Sequence, residues 1–200
     1  MDAKYITPAV TAFDEQGHVD MEANKRIYDW LIEGGMDGIL ILGSIGEFFA
    51  IPLEEKKKMI QDALDYVNHR VTVYVGTGGT VFEECVELSR FALDRGADGV
   101  MVISPYYFNL PDSSVLNFYD TLAGRLDGPV LLYNFPARTG YDLKPEVVLE
   151  LVRRRTNIVG IKDTVDVMGH TRALIQTVKQ EYPEFMVYSG FDEFFTHNVI

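Results

Sequence analysis

Cysteine is nearly absent from these 200 residues: Cys85 is the only one. A disulfide framework and a cysteine zinc knuckle are thereby excluded. Cys85 reads instead as a small apolar filler in a helix. Basic residues are also scarce, 18 against 30 acidic ones, giving a formal net charge of −12. With no basic stripe, a nucleic-acid or anionic-membrane partner is disfavoured. No apolar run approaches membrane-spanning length. The opening Met1-Asp2-Ala3-Lys4-Tyr5 lacks the charged-then-apolar order of a signal peptide, so the expectation is a soluble cytoplasmic protein. The histidines His18, His69, His170 and His197 show no metal-ligand spacing, which argues against a metal site.

What is present is a regular alternation of apolar strands and amphipathic helices. Strands are expected over Lys4 to Thr11, Gly38 to Leu42, Val71 to Val75, Gly99 to Ile103, Val130 to Asn134, Asn157 to Lys162 and Phe185 to Ser189. Helices are expected from Asp20 (a cap) to Glu33, Pro52 to His69, Val81 to Arg95, Ser113 to Leu126, from near Pro145, and Asp166 to Glu181, with a further one starting at Phe191. Most strands are continuously apolar, as parallel strands covered on both faces are. Seven such strands predict a (β/α)₈ TIM barrel in a single domain over residues 1–200. An open doubly wound sheet is the competing architecture. No Gly-x-Gly-x-x-Gly follows the first strand, which weighs against it. The eighth strand is missing, and an unclosed barrel would expose two sheet edges. The expectation is therefore a barrel incomplete at its C-terminus.

Barrel enzymes build their sites at the C-terminal ends of the strands. There this chain places Thr11, Ser44, Ile45, Glu47, Thr77, Tyr107, Tyr133, Arg138, Lys162 and Gly190. Lys162 closes the run Asn157-Ile158-Val159-Gly160-Ile161, where burial would favour a neutral, nucleophilic amine able to form a Schiff base. A lysine that merely snorkels to water is the plainer alternative. Tyr133, one strand away, could shuttle protons if hydroxyls such as Ser44 and Tyr107 relay them. Equally, it could be a core tyrosine with a satisfied hydroxyl. Gly43-Ser44-Ile45-Gly46 offers backbone N–H groups to a small carboxylate. Arg138 can grip a second carboxylate bidentately or be an ordinary surface charge. Gly76-Thr77-Gly78-Gly79 without a P-loop lysine reads as a tight turn rather than a phosphate cradle. Lys56-Lys57-Lys58 reads as a solvated helix face, and Arg153-Arg154-Arg155 as cations complementing the dipole of a last helical turn.

Taken together, Gly43-Ser44-Ile45-Gly46-Glu47, Pro105-Tyr106-Tyr107, Tyr133-Asn134-Phe135-Pro136, Arg138-Thr139-Gly140, Gly160-Ile161-Lys162 and Ser189-Gly190 resemble the dihydrodipicolinate synthase and N-acetylneuraminate lyase family. These are pyruvate-dependent class I aldolases built on a (β/α)₈ barrel. The resemblance implies that Lys162 forms the Schiff base with pyruvate, with no other cofactor, and that Tyr133 is the general acid/base. It further implies that Ser44 takes the relay position and that Tyr107 completes the relay from a neighbouring subunit, in a dimer or tetramer. The pocket would be shaped by Thr11, Gly43, Ile45, Gly46, Arg138 and Gly190, and the partners would be a small keto acid and an aldehyde. Family members run to nearly three hundred residues, in keeping with missing C-terminal sequence. Two departures stand out: Ile45 where the family has a threonine hydroxyl, and Ala12 where proline is common. Arg138 is similar to the residue that holds aspartate semialdehyde in dihydrodipicolinate synthases. The motifs around Ser44, Thr77 and Lys162 look more like the 2-keto-3-deoxy sugar acid aldolases of the same family. A non-catalytic keto-acid-binding barrel and a cofactor- or phosphate-binding barrel are the readings from other classes.

Overall fold

A computed structural model describes residues 4–194. His197 and the continuation of the helix expected from Phe191 lie outside them. The chain groups into two compact units. The first comprises the chain up to Thr77 with Glu83–Val100, and the second Gly78–Phe82 with the chain from Met101 onward.

In the first unit, β1 (Ile6–Pro8), β2 (Gly38–Ile41) and β3 (Thr72–Gly76) follow one another in the sheet, all parallel. Every residue of β2 is buried, as its unbroken Gly-Ile-Leu-Ile run requires. The first strand is shorter than Lys4 to Thr11. Pro8 has no N–H to offer the ladder, so pairing ends there but for Ala9 N–H donating to Leu40 O. Helix α1 (Met21–Glu33) starts where Asp20 accepts a hydrogen bond from the Ala23 N–H at 3.0 Å and stops at Gly34. Asn24, wholly buried on α1, holds the incoming loop: its Oδ1 accepts from Ala12 N and its Nδ2 donates to Ala12 O and Asp20 O.

Helix α2 (Leu53–Val67) ends two residues before His69, because Asn68 and His69 both turn left-handed (φ 45° and 58°). It also corrects the reading of Lys56-Lys57-Lys58, of which only Lys58 is exposed. Lys56 lies 5.7 Å from the Phe48 ring centroid and Lys57 is bonded to Glu54 and Glu87. The body of α3 (Phe82–Asp94) buries Cys85, Val86, Leu88, Ser89 and Ala92.

The second unit carries β4 (Gly99–Ile103) from Met101 on, then β5 (Val130–Asn134), β6 (Ile158–Asp163) and β7 (Met186–Ser189), neighbours in that order. Printed on the sequence as apolar runs, β4 and β5 are buried throughout. Each fully buried Leu, Ile or Val is worth about 1.5–3 kcal/mol. Between the strands lie α4 (Asp112–Ala123), α5 (Pro136–Thr139), α6 (Pro145–Arg154) and α7 (Met168–Val178). Two expectations are corrected here. The stretch from Phe135 to Gly140, where the sequence predicts no helix between strand five and the helix from near Pro145, holds a one-turn helix opened by Pro136 and closed by Gly140 at φ 70°. Strand six runs one residue beyond Lys162, to Asp163, because Asp163 and Ser189 still pair. At the other end of that strand Asn157 Nδ2 donates to the carbonyls of Ala123, Leu126 and Gly128, fastening the α4–β5 connection.

Candidate active site

In the second unit β5 and β6 run parallel in a register that sets Tyr133 opposite Lys162. Lys162 Nζ lies 4.6 Å from the Tyr133 ring centroid. Tyr133 is buried and stacks on Phe135, with centroids 6.0 Å apart. Lys162 is half-buried, and loss of hydration lowers its pKa from 10.5 to about 8, against the smaller opposing pull of the Asp192 carboxylate. A shift of that size raises the neutral fraction at pH 7 roughly 300-fold over an ordinary lysine. The ring face favours the ammonium by about 0.5–2 kcal/mol and offsets part of the burial cost. A nucleophilic amine beside a phenol can add to a carbonyl and have its protons managed.

Past β6, Thr164 Oγ1 is buried without a hydrogen-bond partner among the described residues. Such a hydroxyl costs about 1–3 kcal/mol unless a ligand satisfies it. Beside it, Gly190 cannot carry a side chain, since a Cβ there would overlap Thr164. Thr164 was within reach of sequence reasoning as the second residue after Lys162, but nothing in the sequence separates an orphaned hydroxyl from a capped one. Arg138 stands exposed on α5, four residues beyond the end of β5, with its guanidinium 5.7 Å from the Phe135 ring centroid. Tyr107, in the loop after β4, is 86% exposed at φ 88° and meets Phe108 edge-on. A left-handed tyrosine is unfavourable, so that outward posture is held by its loop.

The first unit builds the turn Gly43-Ser44-Ile45-Gly46 at the end of β2. Leu42 and Glu47 on either side are both left-handed (φ 54° and 53°), conformations that bulky residues adopt at a cost of about 1–3 kcal/mol. Thr11 Oγ1 donates to Gly46 O at 2.7 Å, so the Thr11 hydroxyl braces this turn. Gly76 backs onto the Leu42 carbonyl too closely for any Cβ. That glycine, the last residue of β3, thus serves close packing against the end of β2. Ser44 is half-buried, Gly43 and Gly46 are buried, and Ile45 is 56% exposed. Thr77, another strand-end candidate, instead shares a 2.7 Å hydrogen bond with Ser89 on α3.

Among the described residues no cluster of three or more His, Cys, Asp or Glu side chains is placed to hold a metal ion. Nor is any helix there long and apolar enough to cross a membrane.

Known proteins resemble this chain in sequence and in fold. The family model described as the dihydrodipicolinate synthetase family matches residues 2–199. YagE of Escherichia coli strain K12, named provisionally a 2-dehydro-3-deoxy-D-gluconate aldolase, is 44% identical over 94% of this chain and 62% of its own. A 4-hydroxy-tetrahydrodipicolinate synthase from Methanoculleus marisnigri is 41% identical over 94% of this chain and 64% of its own. The crystal structure of YagE in complex with pyruvate superimposes with a TM-score of 0.95 at 42% identity, covering 98% of this chain and 66% of that one. This chain therefore spans 62% of YagE's sequence length. Its fold class is that of the (β/α)₈ barrel, present through the seventh strand. The chain belongs to the dihydrodipicolinate synthetase family.

Proposed function

We propose that the protein is a class I lyase in which Lys162 captures pyruvate, making or cleaving a 2-keto-3-deoxy sugar acid. The observation that carries this reading is the half-buried Lys162 amine, with a pKa near 8, over the face of Tyr133. The Nζ lone pair adds to the keto carbon, and loss of water leaves the imine. A proton lost from the pyruvate methyl gives an enamine, whose carbon attacks the aldehyde, and hydrolysis returns the amine. The lysine itself is the covalent handle, so the reading needs no further cofactor or metal.

Tyr133 is the proposed proton carrier, and Ser44 and Tyr107 are the proposed relays. The amides of Gly43 to Gly46 are proposed to hold the pyruvate carboxylate, and Thr164 Oγ1 a substrate hydroxyl. Names of relatives such as YagE and the pentonate aldolase YjhH of the same organism, 39% identical, support the sugar-acid branch. The whole is taken as one barrel domain working in the cytoplasm as a dimer or tetramer, a reading the outward Tyr107 and Phe108 rings support.

A second reading rests on Arg138, whose exposed guanidinium suits the carboxylate of aspartate semialdehyde and would make the enzyme a 4-hydroxy-tetrahydrodipicolinate synthase. Borohydride reduction of full-length protein with pyruvate is expected to leave a pyruvate-sized adduct on Lys162. An unmodified Lys162 in folded protein sinks the lyase reading, and pyruvate binding that survives Lys162→Ala would point to a non-catalytic barrel. Product identification with pyruvate plus glyceraldehyde, glycolaldehyde or aspartate semialdehyde then separates the two branches.

A further inference from the structure

The rung formed by Tyr133 and Lys162 is followed by a second, Asn134 opposite Asp163. Successive side chains of a strand point to opposite faces, so this second rung lies behind the first. A buried clasp is built on it. Asp163 is 1% exposed and accepts hydrogen bonds from Asn134 Nδ2 at 3.0 Å and Thr171 Oγ1 at 2.7 Å, with His170 Nδ1 3.0 Å from both of its oxygens. Asn134 Nδ2 also reaches Asp142 at 2.9 Å, and its Oδ1 accepts from Leu143 N–H at 3.0 Å. The clasp thereby joins β5, β6, the first turn of α7 and the segment before α6. A carboxylate so buried is costly unless fully bonded and balanced, and His170 is the group that can balance it.

We propose, on the basis of the Schiff-base reading above, that the Asp163–His170 pair is a positioning unit for Lys162. It locks β5 and β6 together one residue beyond the reacting rung, and so sets the rate at which the amine captures a keto acid. His170 faces two ionisable groups, Asp163 on β6 and Asp142 ahead of α6, the latter 3.4 Å from Nε2. The hydrogen bond to Asp163 raises the His170 pKa above 6.5, with burial opposing. The imidazolium donates from Nδ1 to Asp163 and attracts Asp142 by charge alone, since Nε2 lies 3.4 Å from that carboxylate without a hydrogen bond. On deprotonation one ring nitrogen becomes an acceptor facing a carboxylate, and the clasp slackens. Capture therefore carries a falling component as pH rises through the raised His170 pKa, above 6.5, superimposed on the rise as Lys162 loses its proton.

The test is the single-turnover rate of borohydride-trapped pyruvate capture on full-length protein across pH 5.5–9.5, with pyruvate saturating. His170→Ala is expected to slow capture about tenfold or more, since small misplacement of a reacting group is enough for that, while half-saturating pyruvate stays within about twofold. His170→Asn keeps an N–H donor but cannot titrate. It is expected to recover most of the rate and to lose the inflection above pH 6.5. Thr171→Val, which removes a non-titrating bond to the same carboxylate, keeps that inflection. Retention of the wild-type inflection in His170→Asn overturns the proposal, as does a loss in His170→Ala confined to pyruvate affinity. Should His170→Ala fail to fold, the inflection in His170→Asn decides alone. A wild-type protein that traps no pyruvate overturns both this proposal and the lyase reading, whereas trapping with unaffected variants overturns only this one.

Discussion

A single amine carries the chemistry proposed for this chain, and its proton is the handle on it. Because burial brings Lys162 to a pKa of about 8, its reactive form accumulates between pH 7 and 9 instead of above 10. The pyruvate-capture rate is expected to rise tenfold per pH unit below 8, apart from the His170 component, and to level off above it. A rate that climbs steadily to pH 10.5 would mean an ordinary solvated lysine. Ile45 is the other residue with a measurable consequence. Its exposed side chain offers no hydrogen bond where relatives in this family are expected to present a hydroxyl. A hydrogen bond to a charged group is worth about 1.5–3 kcal/mol, so Ile45→Thr is expected to lower half-saturating pyruvate roughly tenfold or more. Titrating trapped adduct against pyruvate concentration checks this, and an unchanged midpoint would place position 45 outside reach of the carboxylate.

Elements are joined here by buried amides as well as by ion pairs nearer the surface, such as Lys57–Glu87 between α2 and α3. Asn24 on α1 satisfies both backbone groups of Ala12 from a fully buried position. Asn24→Ala leaves the Ala12 N–H unpaired and opens a cavity, so it is expected to cost about 2–3 kcal/mol in urea unfolding. Trp30→Ala on the same helix removes a ring that is 73% exposed and is expected to change stability by about 0.5 kcal/mol or less. Equal effects would show that α1 is held by something other than its buried face.

The order of strands and helices was legible because buried parallel strands are apolar without interruption, and Asp20, Gly34 and Gly96 mark helix ends through their own backbone chemistry. Lys162 and Tyr133 were legible from their position at strand ends within linked motifs. Helix α5 was not, since a single turn has no periodicity to read. Lys56 and Lys57 were misread because charge alone does not say which neighbour covers a stem. The clasp was invisible for a different reason: Asn134, Asp142, Asp163, His170 and Thr171 acquire meaning only once strand register puts them on one face.

For the molecule as a whole, the buried amine is a standing cost to the fold. Its folded pKa near 8 lies below the unfolded 10.5, so below pH 8 folding must hold a proton on a desolvated nitrogen. The difference corresponds to at most about 3 kcal/mol, and it shrinks as pH rises from 8 towards 10.5, where the unfolded amine also becomes neutral. His170 works the other way. Its folded pKa is raised, so its contribution is fully present below pH 6.5 and is lost as pH rises through that raised value. Wild-type stability is thus expected to lose the His170 contribution as pH rises through its raised pKa and to regain the lysine's share from pH 8 upward, against the general self-repulsion of a chain with net charge −12. Lys162→Met removes only the lysine's share. It is expected to be more stable than wild type at pH 7, by up to about 3 kcal/mol, with the advantage fading by pH 10. Urea unfolding of both proteins at pH 7 and pH 10 measures this directly. A methionine variant weaker than wild type at pH 7 would show that the amine contributes more through its contacts than it loses through its burial, and that the nitrogen is not held in the desolvated state its proposed chemistry needs.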